Sequence, residues 1–177
     1  MLQDISFLIL DLYDCGILGI LKQITDRRTL MTECNSLMEN LGMKFLVETP
    51  ERVEVTMPVT PRIFQPFKYV HGGATIALLE SAASRGAELQ TDFSIERPFG
   101  IEANIRHRKS CTSGTVHGVA VLNRIEGRKQ IWDVAAYDDE GDVMSDGTFV
   151  TKIVTFARLE EKAREREAQR EAERSAQ

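Results

Sequence analysis

From residue 99 onward, apolar and polar positions alternate in four runs near 99–108, 113–125, 129–138 and 142–155, separated by the turn pairs Ser113-Gly114, Glu126-Gly127 and Glu140-Gly141. Period-two alternation broken by tight glycine turns predicts consecutive strands of an antiparallel sheet. Two further strands are expected near 43–48 and 51–59, the first closing on Thr49-Pro50, after a short helix around 33–41. Between the two groups the pattern changes to a helix over about 72–89. The prediction is an α+β domain in which one long helix covers one face of an antiparallel sheet.

That helix is unusual in composition. From Ala74 to Ala83 the only residues other than Ala, Ile or Leu are Thr75, Glu80 and Ser81, so it reads as buried nearly all round. A buried carboxylate needs a partner, a hydrogen bond or a cleft. Gly72-Gly73 opens the helix and leaves its first amides unobstructed, where an oxyanion can be held. Glu80 follows His71 by nine residues, which places the two on opposite sides of the helix, roughly 13 Å apart along its axis. Glu80 and the Gly72 amide can therefore serve one site only if two copies of the helix lie side by side. The expectation is a homodimer with two shared sites.

The segment QPFKYVHGGATIALLES, from Gln65 to Ser81, with Glu80 nine residues after the His and Ser84 one turn later, resembles the hotdog-fold acyl-CoA thioesterases of the phenylacetic-acid-degradation and hydroxybenzoyl-CoA or dihydroxynaphthoyl-CoA type. GIEANIRHRKS at 100–110 and GRKQIWDVAAYDDEGDVM at 127–144 resemble that family's later strand and closing hairpin, so the likeness spans about residues 35–154. It implies a single hotdog domain, a sheet wrapped around the central helix, that forms a dimer or a dimer of dimers. The implied activity is hydrolysis of a small or aromatic acyl-CoA to the free acid and coenzyme A.

A carboxylate such as Glu80 can attack the thioester carbonyl or activate a water, and the sequence leaves both open. Gly72 would supply the oxyanion amide. The resemblance gives His71 a positioning role, lets Gln65 hold the attacking water or the thioester oxygen, and places Ser84 beside Glu80. It also implies that Glu80 and Ser84 come from one subunit and Gln65, His71 and Gly72 from the other. For the substrate's coenzyme A it points to the strand segment from Gly100 through Asn104 to His107, Arg108, Lys109 and Ser110, and to the basic turn formed by Arg124, Gly127, Arg128 and Lys129. Arg and Lys suit phosphate by charge and geometry. No separate cofactor is expected, since coenzyme A is part of the substrate. Within 101–108, Ile101, Ala103 and Ile105 should face the helix, while Asn104 lies among the polar set and ties strands at the dimer seam.

Two departures from the family pattern stand out. Asp146 and Gly147, in SDGTFVTK, replace part of a phosphate or pantetheine contact, and Lys68-Tyr69 stands where small or aliphatic residues are frequent. Both leave the acyl group open.

With 177 residues and 42% hydrophobic content there is enough chain for one real core, and a net charge of −5 argues against nucleic acid. Cys15, Cys34 and Cys111 are isolated, which suggests neither a disulfide framework nor a zinc site and fits small hydrophobes in a reducing cytoplasm. Residues 1–30 carry apolar runs interrupted by Asp4, Asp11 and Asp14, with no basic stretch before them. They read as an N-terminal extension, neither a signal peptide nor a spanning helix, and Met31 is an alternative start. The domain is placed at 31–156 and a charged tail at 157–177. Residues 158–177 hold six acidic and six basic residues without an apolar stripe, a solvated helix with pairs such as Glu161 with Arg164 and Glu167 with Arg170. His117 reads as structural and Trp132 as core or interface. A hotdog hydratase would need an Asp and His pair, and the alternative of another class is a non-catalytic acyl-CoA-binding or sensing module.

Overall fold

The computed structural model describes residues 36–175, and the expectations for residues 1–30, Cys15 and Cys34 lie outside them. Helix α1 is Leu37–Asn40, followed by strands β1 (Lys44–Glu48) and β2 (Arg52–Pro58). A 3-10 turn at Pro61–Ile63 leads to helix α2 (Gly72–Leu89). Strands β3 (Glu96–His107), β4 (Thr115–Glu126), β5 (Lys129–Tyr137) and β6 (Val143–Thr155) follow, then helix α3 (Phe156–Ser175). The strands form one antiparallel sheet in the order β1-β2-β4-β5-β6-β3.

The β2, β4 and β5 strands bury alternate residues against α2, as half-buried strands do. Val53, Val55 and Met57 of β2, Val116 and Ala120 of β4, and Trp132, Val134 and Ala136 of β5 enter the same core as Leu78, Leu79, Ala82 and Ala83 of α2. Small residues let the layers close: a Cβ on Gly86 would lie 2.3 Å from the Trp132 ring, and one on Gly118 would lie 2.9 Å from Leu78. The Trp132 indole N–H donates to Thr151 Oγ1 (3.0 Å), whose hydroxyl donates to Gln130 Oε1 (2.9 Å), so a fully buried polar chain is satisfied internally. Trp132 is thus a core residue.

The expectation that α2 is buried all round is corrected. Its sheet-facing side is buried, but Gly73 and Glu80 are exposed and Ala77, Ser81 and Ser84 only partly covered, because a single sheet reaches one side of a helix. The β3 strand and the residue before it share this openness: Phe99 and Ile101 of β3 are 44% and 48% exposed, and Ile95 is 56% exposed. A register shift between Gly100 and Glu102 makes Ile101 a bulge, and of the three apolar residues expected to face the helix only Ile105 packs on the core.

Helix α3 has no buried residue, in line with its charge pattern. Its ion pairs differ from the expected ones: Glu161 pairs with Arg158, and Arg164 with Glu160 at 3.7 Å. At its root, the Arg97 guanidinium lies between the Phe93 and Phe156 rings, at 5.0 and 4.6 Å from their centroids.

Candidate active site

The segment before α2 is pinned on three sides. The His71 N–H donates to Ile63 O (2.7 Å), the Val70 N–H to Cys111 O (3.0 Å), and the Ser110 hydroxyl to Val70 O (3.1 Å). Within it, Gln65 N–H donates to Tyr69 O and Lys68 N–H to Gln65 O, both at 2.9 Å. Lys68 takes φ = 65°, a left-handed conformation that favours glycine. His71 is the N-cap of α2, its Nδ1 accepting from the Gly73 N–H at 2.8 Å, while His71 O accepts from the Ala74 and Thr75 amides. Capping of this kind leaves Gly72 as the first-turn amide with no hydrogen bond among the described residues. Ser110, read from sequence as a substrate contact, here ties the strap that delivers His71.

Eight residues on, the exposed Glu80 carboxylate rests beside β3: a Cβ on Gly100 would lie 3.1 Å from Glu80 Oε1 and 2.9 Å from Phe149. Gly100 therefore makes room for the catalytic candidate. Ser84 is partly buried on the same side of the helix, and no hydrogen bond joins it to Glu80. Because Gly72 and Glu80 belong to one continuous helix, about 12 Å of rise separates them. One chain does not bring them together.

Gly72 also explains the placement of His107. A Cβ on Gly72 would lie 2.7 Å from His107 Nε2, so the ring lies directly against that backbone, and Nδ1 shares a 2.8 Å hydrogen bond with Ser145 Oγ. Ser145 is 1% exposed and lies opposite His107 in the β3–β6 register. Sequence reading did not single out Ser145, whose only local signal is its place in a strand.

The basic residues come with acids. Arg108 forms a two-pronged pair with Asp146 (Nη2 to Oδ2, 2.9 Å), and Lys109 reaches Asp138 at 2.5 Å and Asp142 at 2.6 Å. These contacts hold the Asp146 and Asp138 carboxyls below the usual carboxylate range and raise the Lys109 ammonium. Arg124 pairs with Glu126 at 2.6 Å, while Arg128 bonds Glu96 and the Ile153 carbonyl. Lys129 is exposed, and Gly127 makes the β4–β5 turn at φ = 61°. The two clusters sit at opposite ends of β3: His107 ends the strand and Glu96, the partner of Arg128, begins it. Eleven residues of extended chain separate them by roughly 36 Å. Asn104 lies between, exposed and opposite Thr148.

A further feature was not legible in sequence. An apolar hollow of about 310 Å³ opens beside His71, lined by Leu37 and Leu41, by Ile63 and Phe64, and by Ala74 and Ala77 of α2. Cys111 packs on the core, and burial pushes its thiol up. His117 Nε2 lies 2.9 Å from Asp139 Oδ1 on the β4–β5 side, away from these groups. Among the described residues no helix is long and apolar enough to cross a membrane.

A six-stranded antiparallel sheet wrapped on one long helix is the hotdog architecture. The family model described as "Thioesterase superfamily" matches residues 67–145. The chain is 34% identical over 114 residues to the 1,4-dihydroxy-2-naphthoyl-CoA hydrolase of Escherichia coli, covering 64% of this chain and 83% of that protein. It is 33% identical over 110 residues to the proofreading thioesterase EntH of Cronobacter turicensis, covering 62% and 80%. Among solved structures, a mutant of thioesterase PA1618 from Pseudomonas aeruginosa superposes with a TM-score of 0.67 at 29% identity, covering 77% of this chain and 94% of that one. The chain belongs to the hotdog-fold thioesterase superfamily and is a thioester hydrolase.

Proposed function

We propose that this enzyme hydrolyses the thioester of a small or aromatic acyl-CoA, in sites that each take Glu80 and Ser84 from one subunit and Gln65, His71 and Gly72 from another. The observation that carries this reading is the separation along α2 of a Gly72 amide with no hydrogen bond among the described residues and an exposed Glu80 carboxylate, both beside the edge strand β3. A second copy laid along that edge supplies the missing half of each. The long β3 edge supports the same partner, since a 12-residue strand paired on one side only among the described residues, and carrying exposed apolar side chains, is a template for pairing. Antiparallel pairing of two β3 strands would also set the His107 end of one copy beside the Glu96 and Arg128 end of the other. The two basic clusters, far apart in one chain, would then border one nucleotide.

In this site the thioester oxygen accepts from the Gly72 amide, Glu80 acts as nucleophile or as base for a water, and the acyl group enters the hollow beside His71. The enzyme works in the cytoplasm as a dimer or a dimer of dimers, and coenzyme A leaves as product.

Mixing two inactive variants tests the arrangement. Glu80→Ala and His71→Ala chains, dissociated and reassociated together, form hybrids in which one site holds both lesions and the other holds neither. Thiol release from a panel of acyl-CoAs should recover to about a quarter of wild type. No recovery from hybrids shown to form would sink the shared site, and no thiol release by the wild type across benzoyl, hydroxybenzoyl, phenylacetyl and short-chain substrates would sink the substrate class.

A further inference from the structure

We propose that His107 acts at the thioester end of the site, donating from Nε2 to the same oxygen as the Gly72 amide, and that the buried Ser145 is the positioning residue that holds it there. This rests on the reading of Gly72 given above. His107 opens the basic run His107, Arg108, Lys109, which by charge alone belongs with the nucleotide. Its surroundings separate it from the other two. The Arg108 and Lys109 heads are engaged by Asp146 and by Asp138 with Asp142, whereas the polar partner of His107 is a hydroxyl that is itself 1% exposed.

The distances permit a shared oxygen. A Cβ on Gly72 would be 2.7 Å from Nε2, and an ideal Cβ lies about 2.5 Å from its own amide nitrogen, so Nε2 and the Gly72 nitrogen are within about 5 Å of each other. Two donors can hydrogen-bond one oxygen at about 2.9 Å each when they are no more than about 6 Å apart. Gly72 thus has two reasons to lack a side chain: its amide must be reachable, and the imidazole occupies the space. The proton placement in the proposal is set by the sense of the Ser145 hydrogen bond. In the proposal the Ser145 hydroxyl donates to Nδ1, which leaves the ring N–H on Nε2, the nitrogen that faces Gly72. Register explains why the tether is dependable, since His107 and Ser145 are paired residues of β3 and β6.

The test compares kcat and KM for an acyl-CoA and for the corresponding acyl-pantetheine, which lacks the nucleotide. His107→Asn keeps a polar atom near Nδ1 and removes Nε2, while His107→Gln keeps an N–H near Nε2. His107→Asn should lower kcat about 100-fold on both substrates with little change in KM. His107→Gln should recover part of that loss, and Ser145→Ala should lower kcat about tenfold with unchanged secondary structure. A His107→Asn effect confined to KM for acyl-CoA, with acyl-pantetheine turnover as in wild type, would make His107 a nucleotide contact and overturn the proposal. Equal losses in the Asn and Gln variants, tracking a lowered Tm, would also overturn it by making the ring structural. If Glu80→Gln is inactive while all three variants turn over normally, this assignment fails and the hydrolytic reading stands. A wild type inactive on both substrates removes both.

Discussion

The two sides of helix α2 are built to different standards. Toward β2, β4 and β5 the chain is finished: Leu78, Leu79, Ala82 and Ala83 are fully buried, Trp132 fills the space left by Gly86, and the one polar chain there is closed on itself. Toward β3 it is not: Glu80 and Gly73 are exposed, and β3 is exposed along most of its length. Every group with a chemical role in our proposal lies on or beside the unfinished side. Apolar area left bare on this scale weakens a lone chain, since each large side chain kept in water forgoes about 1.5–3 kcal/mol of burial. In our proposal the stable side carries the fold while the other meets a partner and a substrate.

The contrast can be broken most severely at Glu80. Glu80→Gln should reduce thiol release by roughly three orders of magnitude while the Tm holds or rises, because an exposed carboxylate contributes little to folding. Next comes the β3 edge. Ile101→Lys places a charge on the exposed bulge and should shift the protein toward single chains in sedimentation, with turnover falling in parallel by about 10- to 100-fold. Gly100→Ala should push on both Phe149 and the Glu80 carboxylate and lower kcat about tenfold. On the finished side the readout reverses. Gly86→Ala drives a methyl into Trp132 and should lower stability by about 2 kcal/mol in denaturant unfolding, leaving turnover per folded molecule unchanged.

The smallest effect concerns acid. Asp138 is buried, and its hydrogen bond to Lys109 lowers its carboxyl pKa in the fold. A depressed folded pKa contributes stability above the unfolded value of about 3.9, and that contribution is lost as pH falls through the folded value. Lys109→Met should therefore move the midpoint of acid unfolding to higher pH. The gap from wild type should be fullest at neutral pH and close below about pH 4.

Much of this was readable from sequence because it is written locally. The Gly pair and the run of Ala and Leu set α2 at Gly72–Leu89, and the turns at Gly114, Gly127 and Gly141 fall where left-handed backbone was needed. The strand β3 starts at Glu96, three residues before the expected 99, and includes Pro98. The pairing of Pro98 with Ile153 is tolerated because β3 is an edge, where an N–H on one side has no neighbour to meet. Other features depend on register between distant segments. The bulge at Ile101, the Ser145 hydroxyl under His107 and the acids beside Arg108 and Lys109 are set by β3–β6 pairing and hairpin closure, 29 to 51 residues apart in sequence. Composition showed those cations and acids, but not that they neutralise each other.

In the proposed arrangement one helix carries the halves of two different sites, which has a consequence for inheritance. In a pair of chains where one copy has lost only Glu80, the second site still has all its parts, and half the output survives. A copy that has lost both the Gly72 end and Glu80 contributes to neither site, so it disables its intact partner as well. With chains pairing at random, the two lesions on separate copies leave about a quarter of the output, and so does one copy bearing both beside an intact one, whereas either lesion alone beside an intact copy leaves about half.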